Sequence, residues 1–286
     1  MHFLGIFTAF VAFLFWGVGD FFIQRTSRNS GIWPSTFCIT GFGAIALLPF
    51  AWKSLPVLFT PETFLPLVLL GVGTLLAGLA TFSALKEGKI AAIEPVLSFE
   101  LPLTILVAVL FINENISNVQ AVLIAFVFGG VLLIGYAGRM HTKQFLERGA
   151  VLALLAALLQ AGVNFATGLA SRGVGPIETI WFAHTVVACA CILYFTATRS
   201  WSTFITHLRK HPRESSMLAV LDNGAWVTYS ISMTLIPISL ATTISGAYII
   251  LTILLGVIVT KEKLSAHQWI GVAIATISVL ALSAIS

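Results

Sequence analysis

The stretch Leu103–Gln120 reads LTILVAVLFINENISNVQ, and Leu251–Gln268 reads LTILLGVIVTKEKLSAHQ. Both fit one pattern: Leu-Thr-Ile-Leu, two residues, Val, four residues, Glu, one residue, Ile or Leu, Ser, two residues, Gln. The copies lie 148 residues apart in a chain of 286, so the protein is close to two halves of one design. In each copy an apolar run ends at a Glu (Glu114, Glu262), passes a short polar turn and restarts at a Ser (Ser117, Ser265). A serine oxygen can accept an orphan N–H at a helix start. Each copy is therefore expected to be helix, tight turn, helix, with the Glu held by nearby backbone or lysine and given no substrate role.

Composition places this repeat in a membrane. Charged residues make up 9% of the chain and the hydrophobic class 58%, with a mean hydropathy of +1.00. Soluble domains carry about 25% charged residues, so this chain has too little polar surface to coat a soluble globule. An all-α polytopic membrane protein follows. The net charge of +4 does not point to nucleic acid, because the basic residues sit in short loops between apolar runs. Cys38, Cys189 and Cys191 all lie inside apolar runs and read as packing residues. The N-terminal run lacks a basic leader and a cleavage site, so it is expected to stay as the first span.

A span needs about 20 apolar residues. Ten runs qualify: 3–24, 31–51, 63–85, 90–112, 117–137, 149–170, 176–197, 216–236, 238–260 and 266–285. The long connection around Arg199–Glu214, with Trp201, Phe204 and Ile205 among bases, reads as an interfacial stretch. The repeat reaches the first helix of each half. At an offset of 144, Gly5, Ala9, Ala12, Leu14, Phe21 and Arg28 meet Gly149, Ala153, Ala156, Leu158, Phe165 and Arg172. Residues 1–147 and 148–286 are thus expected to be two five-helix units. Five is odd, so the second unit would enter the membrane from the opposite side, as an inverted repeat of the kind found in secondary transporters. Two such units can rock about a midplane site. Lysine and arginine counts put thirteen bases in loops 1–2, 3–4, 5–6, 7–8 and 9–10 and two on the other side. The positive-inside rule then places those loops in the cytoplasm and both termini outside.

Particular segments carry a resemblance. Ala84–Ala92 (ALKEGKIAA) precedes the fourth span, which ends in Phe111–Ser117 (FINENIS). In the second half Pro237–Ala241 (PISLA) leads to Lys261–Ser265 (KEKLS), and the first helix carries Trp16-Gly17. The set resembles the drug/metabolite transporter superfamily, in its ten-span EamA-type branch, over the whole chain. The resemblance implies a permease for small metabolites, amino acids or similar solutes, working in export. It also implies a cavity lined mainly by spans 1, 3, 4, 6, 8 and 9, with spans 5 and 10 peripheral. It implies cytoplasmic termini, the reverse of the charge count.

Ionisable and polar residues inside spans are costly and usually face a cavity or a partner. Glu100 lies mid-span between Pro95 and Pro102, where proline frees carbonyls of the preceding turn. It is a candidate to bind a cationic part of the substrate or to carry a proton. Glu94 is a second candidate, with Lys86 and Lys89 as alternative partners. Trp16, Asp20 and Gln24 form one stripe; Gln160, Asn164, Thr167 and Ser171 form another on the repeat-related helix. Asp222, Trp226 and Tyr229 share a face, with Asn223 beside them. Ser245, Tyr248 and Thr252 share another, and Tyr248 aligns with Glu100 across the repeat. Aromatics with a polar tip suit an organic solute. The substrate-binding candidates are Trp16, Asp20, Glu94, Glu100, Asn164, Asp222, Asn223, Trp226, Tyr229 and Tyr248. His184 reads as a packed, hydrogen-bonded histidine, and Glu178 as the complement of its helix N-terminus.

Other classes fit poorly. Gly17–Asp20 matches the GxGD shape of intramembrane aspartyl proteases, but the one other Asp, Asp222, has no Tyr before it. No zinc motif and no Walker loop occur, so no metal, cofactor or enzymatic activity is expected. A lipid-linked intermediate flippase of the same architecture is the closest rival. The expected partners are a small-molecule solute and the lipid of the cell (inner or plasma) membrane, with protons as a coupling option. A monomer suffices for two fused halves, and a homodimer is compatible.

Overall fold

The computed structural model describes residues 1–87, 93, 96–135, 148–255, 257–258 and 264–285, with side chains at all of these except 20–30, 135, 148, 207 and 253. Among the described residues every regular element is helical. The order is α1 (His2–Ser30), α2 (Ile32–Ala46), α3 (Leu48–Ala51), a 3₁₀ turn (Trp52–Ser54), α4 (Leu55–Leu58), α5 (Pro61–Glu87), α6 (Glu100–Ile112) and α7 (Asn118–Gly135). The second half holds α8 (Arg148–Val174), α9 (Pro176–Ala197), α10 (Trp201–Lys210), α11 (Pro212–Leu235), α12 (Ile238–Gly246), α13 (Ile249–Leu255) and α14 (Ala266–Ile285).

The repeated turn is built as its residues require. α6 stops at Asn113, which takes the left-handed conformation (φ 50°) that Asn tolerates better than most residues. Ser117 and Gln120 then form a reciprocal cap: Gln120 N–H donates to Ser117 Oγ at 3.2 Å, and Ser117 N–H to Gln120 Oε1 at 3.0 Å. In the second copy Ser265 N–H donates to Gln268 Oε1 at 3.0 Å. Glu114 is held by backbone, as expected, but by that of the opposite half. It accepts from the N–H groups of Ile238 and Ser239 at 2.6 and 2.8 Å and from the Ser239 hydroxyl. Its cationic neighbour among the described residues is Arg172, at 3.6 Å. The carboxylate thus caps the N-terminus of α12. Glu262 lies outside the described residues.

Among the described residues, five helices are long and apolar enough to cross a bilayer: residues His2–Gly19 of α1, then α5, Gly149–Val174 of α8, α9 and α14. A sixth is α2 taken together with Leu48–Leu58, bent by 44°. The bend follows from Pro49, which has no N–H to donate to Ile45 O and so cannot continue α2. α11 has 24 residues, enough to cross, but is less apolar because Asp222, Asn223, Ser230 and Ser232 are buried along it. The fourth and ninth runs are not continuous helices. A turn at Ser98–Phe99 precedes α6, where Leu101 N–H takes the Ser98 carbonyl at 3.1 Å. Pro102 could not have donated to it. A second turn at Ala247–Tyr248 separates α12 from α13 one residue beyond the repeat-equivalent position, with no proline near it.

Packing follows the repeat. α1 lies along α11, and its counterpart α8 lies along α5; α2 packs on α9 and α7 on α14. Two of the repeat-related pairs, α2 with α9 and α7 with α14, run antiparallel. Trp33 at the start of α2 stacks on Tyr194 near the end of α9 (4.0 Å), while Ala44 O near the end of α2 accepts from Trp181 Nε1 near the start of α9 (3.0 Å). On α7, Ile134 O accepts from Gln268 Nε2 at the start of α14 (2.9 Å), and Gly130 lies against Ala275 one turn deeper. A Cβ on Gly271 would come within 2.7 Å of Gly130 O, so only glycine permits this approach. The interfacial stretch forms α10, with Trp201 and Phe204 packed on Phe195.

Candidate functional site

A cavity of about 160 Å³ opens between the two halves. It is lined from α1, α2, α5, α6, α8, α9, α11 and α12, together with Tyr248 from the turn after α12. α7 and α14 supply none of the lining and stand aside, packed on one another. The resemblance left α2 and α9 out of the wall, yet Thr36 and Thr40 on the first and His184 on the second reach it.

The wall is built in repeat-related pairs. Trp16 and Gln160 line it at an offset of 144, as do Thr40 and His184. Glu100 and Tyr248 line it at an offset of 148, as do Thr74 and Asp222, Gly78 and Trp226, and Thr81 and Tyr229. Equivalent positions of the two halves therefore converge on one space.

Four aromatic rings gather on one side. The indoles of Trp16 and Trp226 meet nearly edge-on, with centroids 5.4 Å apart and planes at 88°. Tyr229 and Tyr248 stand 5.2 and 5.9 Å from Trp16. The Tyr229 ring is 1% exposed, and its hydroxyl pairs with Thr242 Oγ1 at 2.6 Å. Edge-to-face contacts of this kind are each worth about 0.5–1.5 kcal/mol beyond burial, so the cluster holds its own shape.

The polar groups are tied in by short chains of bonds. Gln160 Nε2 donates to Asn164 Oδ1 at 3.0 Å, Asn164 Nδ2 reaches Thr104 Oγ1 at 3.5 Å, and Thr104 Oγ1 donates to Glu100 O at 2.8 Å. Asn164 thereby links α8 to the turn that carries Glu100. His184 Nδ1 pairs with Asn223 Oδ1 at 2.9 Å, and Asn223 Nδ2 donates to Ile39 O and Ala219 O. Gly43 makes room for that pair: a Cβ there would lie 2.1 Å from Asn223 Oδ1.

Seven of the candidates read from sequence sit on the cavity wall: Trp16, Glu100, Asn164, Asp222, Trp226, Tyr229 and Tyr248. Asn223 does not line it; one residue on from Asp222, it turns toward α2 and α9. Glu94 and the side chain of Asp20 lie outside the described residues. The sequence reading missed Thr36, Thr40, Thr74 and Thr81, although Thr36/Thr40 and Thr74/Gly78/Thr81 stand at helical spacing. His184 is hydrogen-bonded as expected, and also reaches the wall. Glu178 accepts from the Ser54 hydroxyl at 2.9 Å in the first turn of α9.

The model of the EamA-like transporter family matches residues 3–136 and again 147–284. The chain belongs to the EamA-like transporter family. It is a multi-pass membrane protein of that family, made of two EamA repeats. A solved crystal structure shares the fold, with a TM-score of 0.75 over 98% of this chain and 95% of that one at 18% sequence identity. No curated protein matches the chain.

Proposed function

We propose that this EamA-family transporter moves a small organic solute across the cell membrane by alternating access to the central cavity, in the export direction that the family resemblance implies. Two five-helix units of opposite topology, ten spans in all, enclose the site. The observation that carries this reading is the pairing of the wall: a cavity between the halves receives equivalent positions from both. The antiparallel course of α2 against α9 and of α7 against α14 supports the inverted arrangement. A volume near 160 Å³ is below the roughly 300–1,000 Å³ of drug-sized sites and suits a small solute. Trp16, Glu100, Asn164, Asp222, Trp226, Tyr229 and Tyr248 are the residues assigned to contact it.

A second, apolar cavity of about 350 Å³ lies between α6 and α7. Thr243 is the polar side chain in its lining, and that hydroxyl is bonded to Ser239 O. This cavity offers a lipid headgroup little to hold, and the solute reading stands ahead of the flippase.

The test is flux in vesicles containing the pure protein, with amino acids, nucleosides and amines, with and without a pH gradient. Saturable counterflow of at least one solute, reduced tenfold or more by Trp226→Leu, is the expected result. Vesicles in which no solute moves faster than in protein-free controls would sink the proposal.

A further inference from the structure

We propose that His184 contacts the transported solute: its Nε2 accepts a hydrogen bond from an N–H or O–H of the solute, on the side of the cavity formed by α2, α5 and α9. This rests on the transporter reading above and narrows it to solutes that present a hydrogen-bond donor at that end. The bonds around Asn223 decide the state of the ring. Asn223 is buried, and its Nδ2 donates to Ile39 O at 2.9 Å and to Ala219 O at 2.8 Å. Both amide hydrogens are thereby engaged, and the opposite orientation of the amide would set Oδ1 against two carbonyl oxygens. Oδ1 can only accept. His184 Nδ1, 2.9 Å from it, therefore carries the hydrogen and donates. A neutral imidazole has one N–H, so Nε2 holds a lone pair. Asn223 is in this way a positioning residue, which fixes the tautomer without touching the cavity.

The lone pair faces the cavity. The Nδ1 edge of the ring is turned toward Asn223 and Gly43, neither of which lines the cavity, whereas His184 does. The ring thus meets the space with its other edge, which carries Nε2. His184 is 3% exposed, and no protein group among the described residues bonds to Nε2. A buried acceptor without a donor costs about 1–3 kcal/mol, so a solute that supplies one is favoured over a solute that does not. The neighbouring hydroxyls are set the same way. α2, α5 and α9 pack on one another. Thr40, the repeat partner of His184, donates to Thr36 O at 2.9 Å, Thr36 to Ile32 O at 3.0 Å and Thr74 to Leu70 O at 2.9 Å. All three line the cavity, each with its hydrogen turned back into its own helix and its acceptor capacity kept. A solute group that can only accept, such as an ether oxygen, finds no donor on these four side chains. A hydroxyl or an amine finds four acceptors.

The experiment uses two pairs of probes that share a ring and differ in their donor. Benzyl alcohol and benzyl methyl ether are neutral; benzylamine and benzyltrimethylammonium are both cations at neutral pH. The first of each pair has a donor and the second has none. Binding to the full-length protein in detergent is followed by thermal stabilisation, flux by proteoliposome counterflow, and the His184 ring by nitrogen NMR, with His184→Phe identifying its signals. In the wild type Nδ1 should be protonated and Nε2 should not. At least one donor probe should bind fivefold or more tightly than its capped partner and shift the Nε2 resonance; the pair that shows this tells a hydroxyl from an amine. His184→Phe should bring the ratio within twofold. Asn223→Leu should mix the tautomers and lower the same ratio, and Thr40→Val should lower it less. If His184→Phe does not fold, the Nε2 shift in the wild type decides. A proton on Nε2, equal binding within both pairs, no binding by any of the four, or a ratio unchanged in His184→Phe would each overturn the assignment. Any of these together with saturable flux of a solute would leave the transporter reading standing. The expected donor preference with no flux of any solute would support the His184 site and overturn the transporter reading.

Discussion

α5 and α11 occupy equivalent places in the two halves and share their buried packing positions: Leu70 with Leu218, Ala77 with Ala225. Toward the cavity they diverge completely. α5 presents Thr74, Gly78 and Thr81 where α11 presents Asp222, Trp226 and Tyr229. The helix faces that hold the protein together are kept alike, and the faces that line the cavity are not. Of this pair of helices, one leaves room and the other brings acidic and aromatic side chains. A duplicated scaffold can in this way build an asymmetric site without disturbing its own packing.

The strongest way to break the comparison is to give α5 the bulk of α11. Gly78→Trp places an indole in the open side of the cavity, where the backbone has space for it. Flux should fall at least a hundredfold with the melting temperature within a few degrees of wild type. Retained flux would mean that solute does not pass this space. A sharper test moves the charge instead. Asp222→Thr should cut flux at least tenfold, and adding Thr74→Asp should not restore it, because the rings remain on the α11 side. Recovery in the double variant would show that the two sides are interchangeable. The smallest effect is expected from Tyr229→Phe. It strands the Thr242 hydroxyl, which is 2% exposed, at a cost of about 1–2 kcal/mol. Thermal melting should fall by a few degrees while flux changes less than fivefold.

This contrast also explains which parts of the site could be read from sequence. Glu100, Asn164, Asp222 and the aromatic residues stood out because a polar group in an apolar run is costly unless it has a purpose. Threonines give no such signal. The hydroxyls of Thr40 and Thr74 are satisfied by carbonyls one turn back in their own helices, Thr36 O and Leu70 O, so they sit in a span at little cost whether or not they face a cavity. Asn223 was placed in the site by its nearness to Asp222, but one helical step is 100° of rotation and sends it elsewhere. The turn before α6 was foreshadowed by Pro102. The turn after α12 has no proline, and local sequence did not disclose it; the repeat alignment places the two breaks within one residue of each other. The cap at Ser117 was legible because capping is a local bargain between a side chain and its own backbone. Glu114 was half legible: its need for backbone partners could be foreseen, but not that they would come from the other repeat.

That last contact has a mechanical meaning. Glu114 belongs to the first half; Arg172, Ile238 and Ser239 belong to the second. Arg172 in turn donates to Met233 O and Ile236 O, fastening α8 to the same junction. Directional bonds to a charged group are strong only near their ideal geometry, whereas the glycine contacts of α7 and α14 have no such angular demand. Parting the two halves at the Glu114 junction therefore means giving up these bonds together.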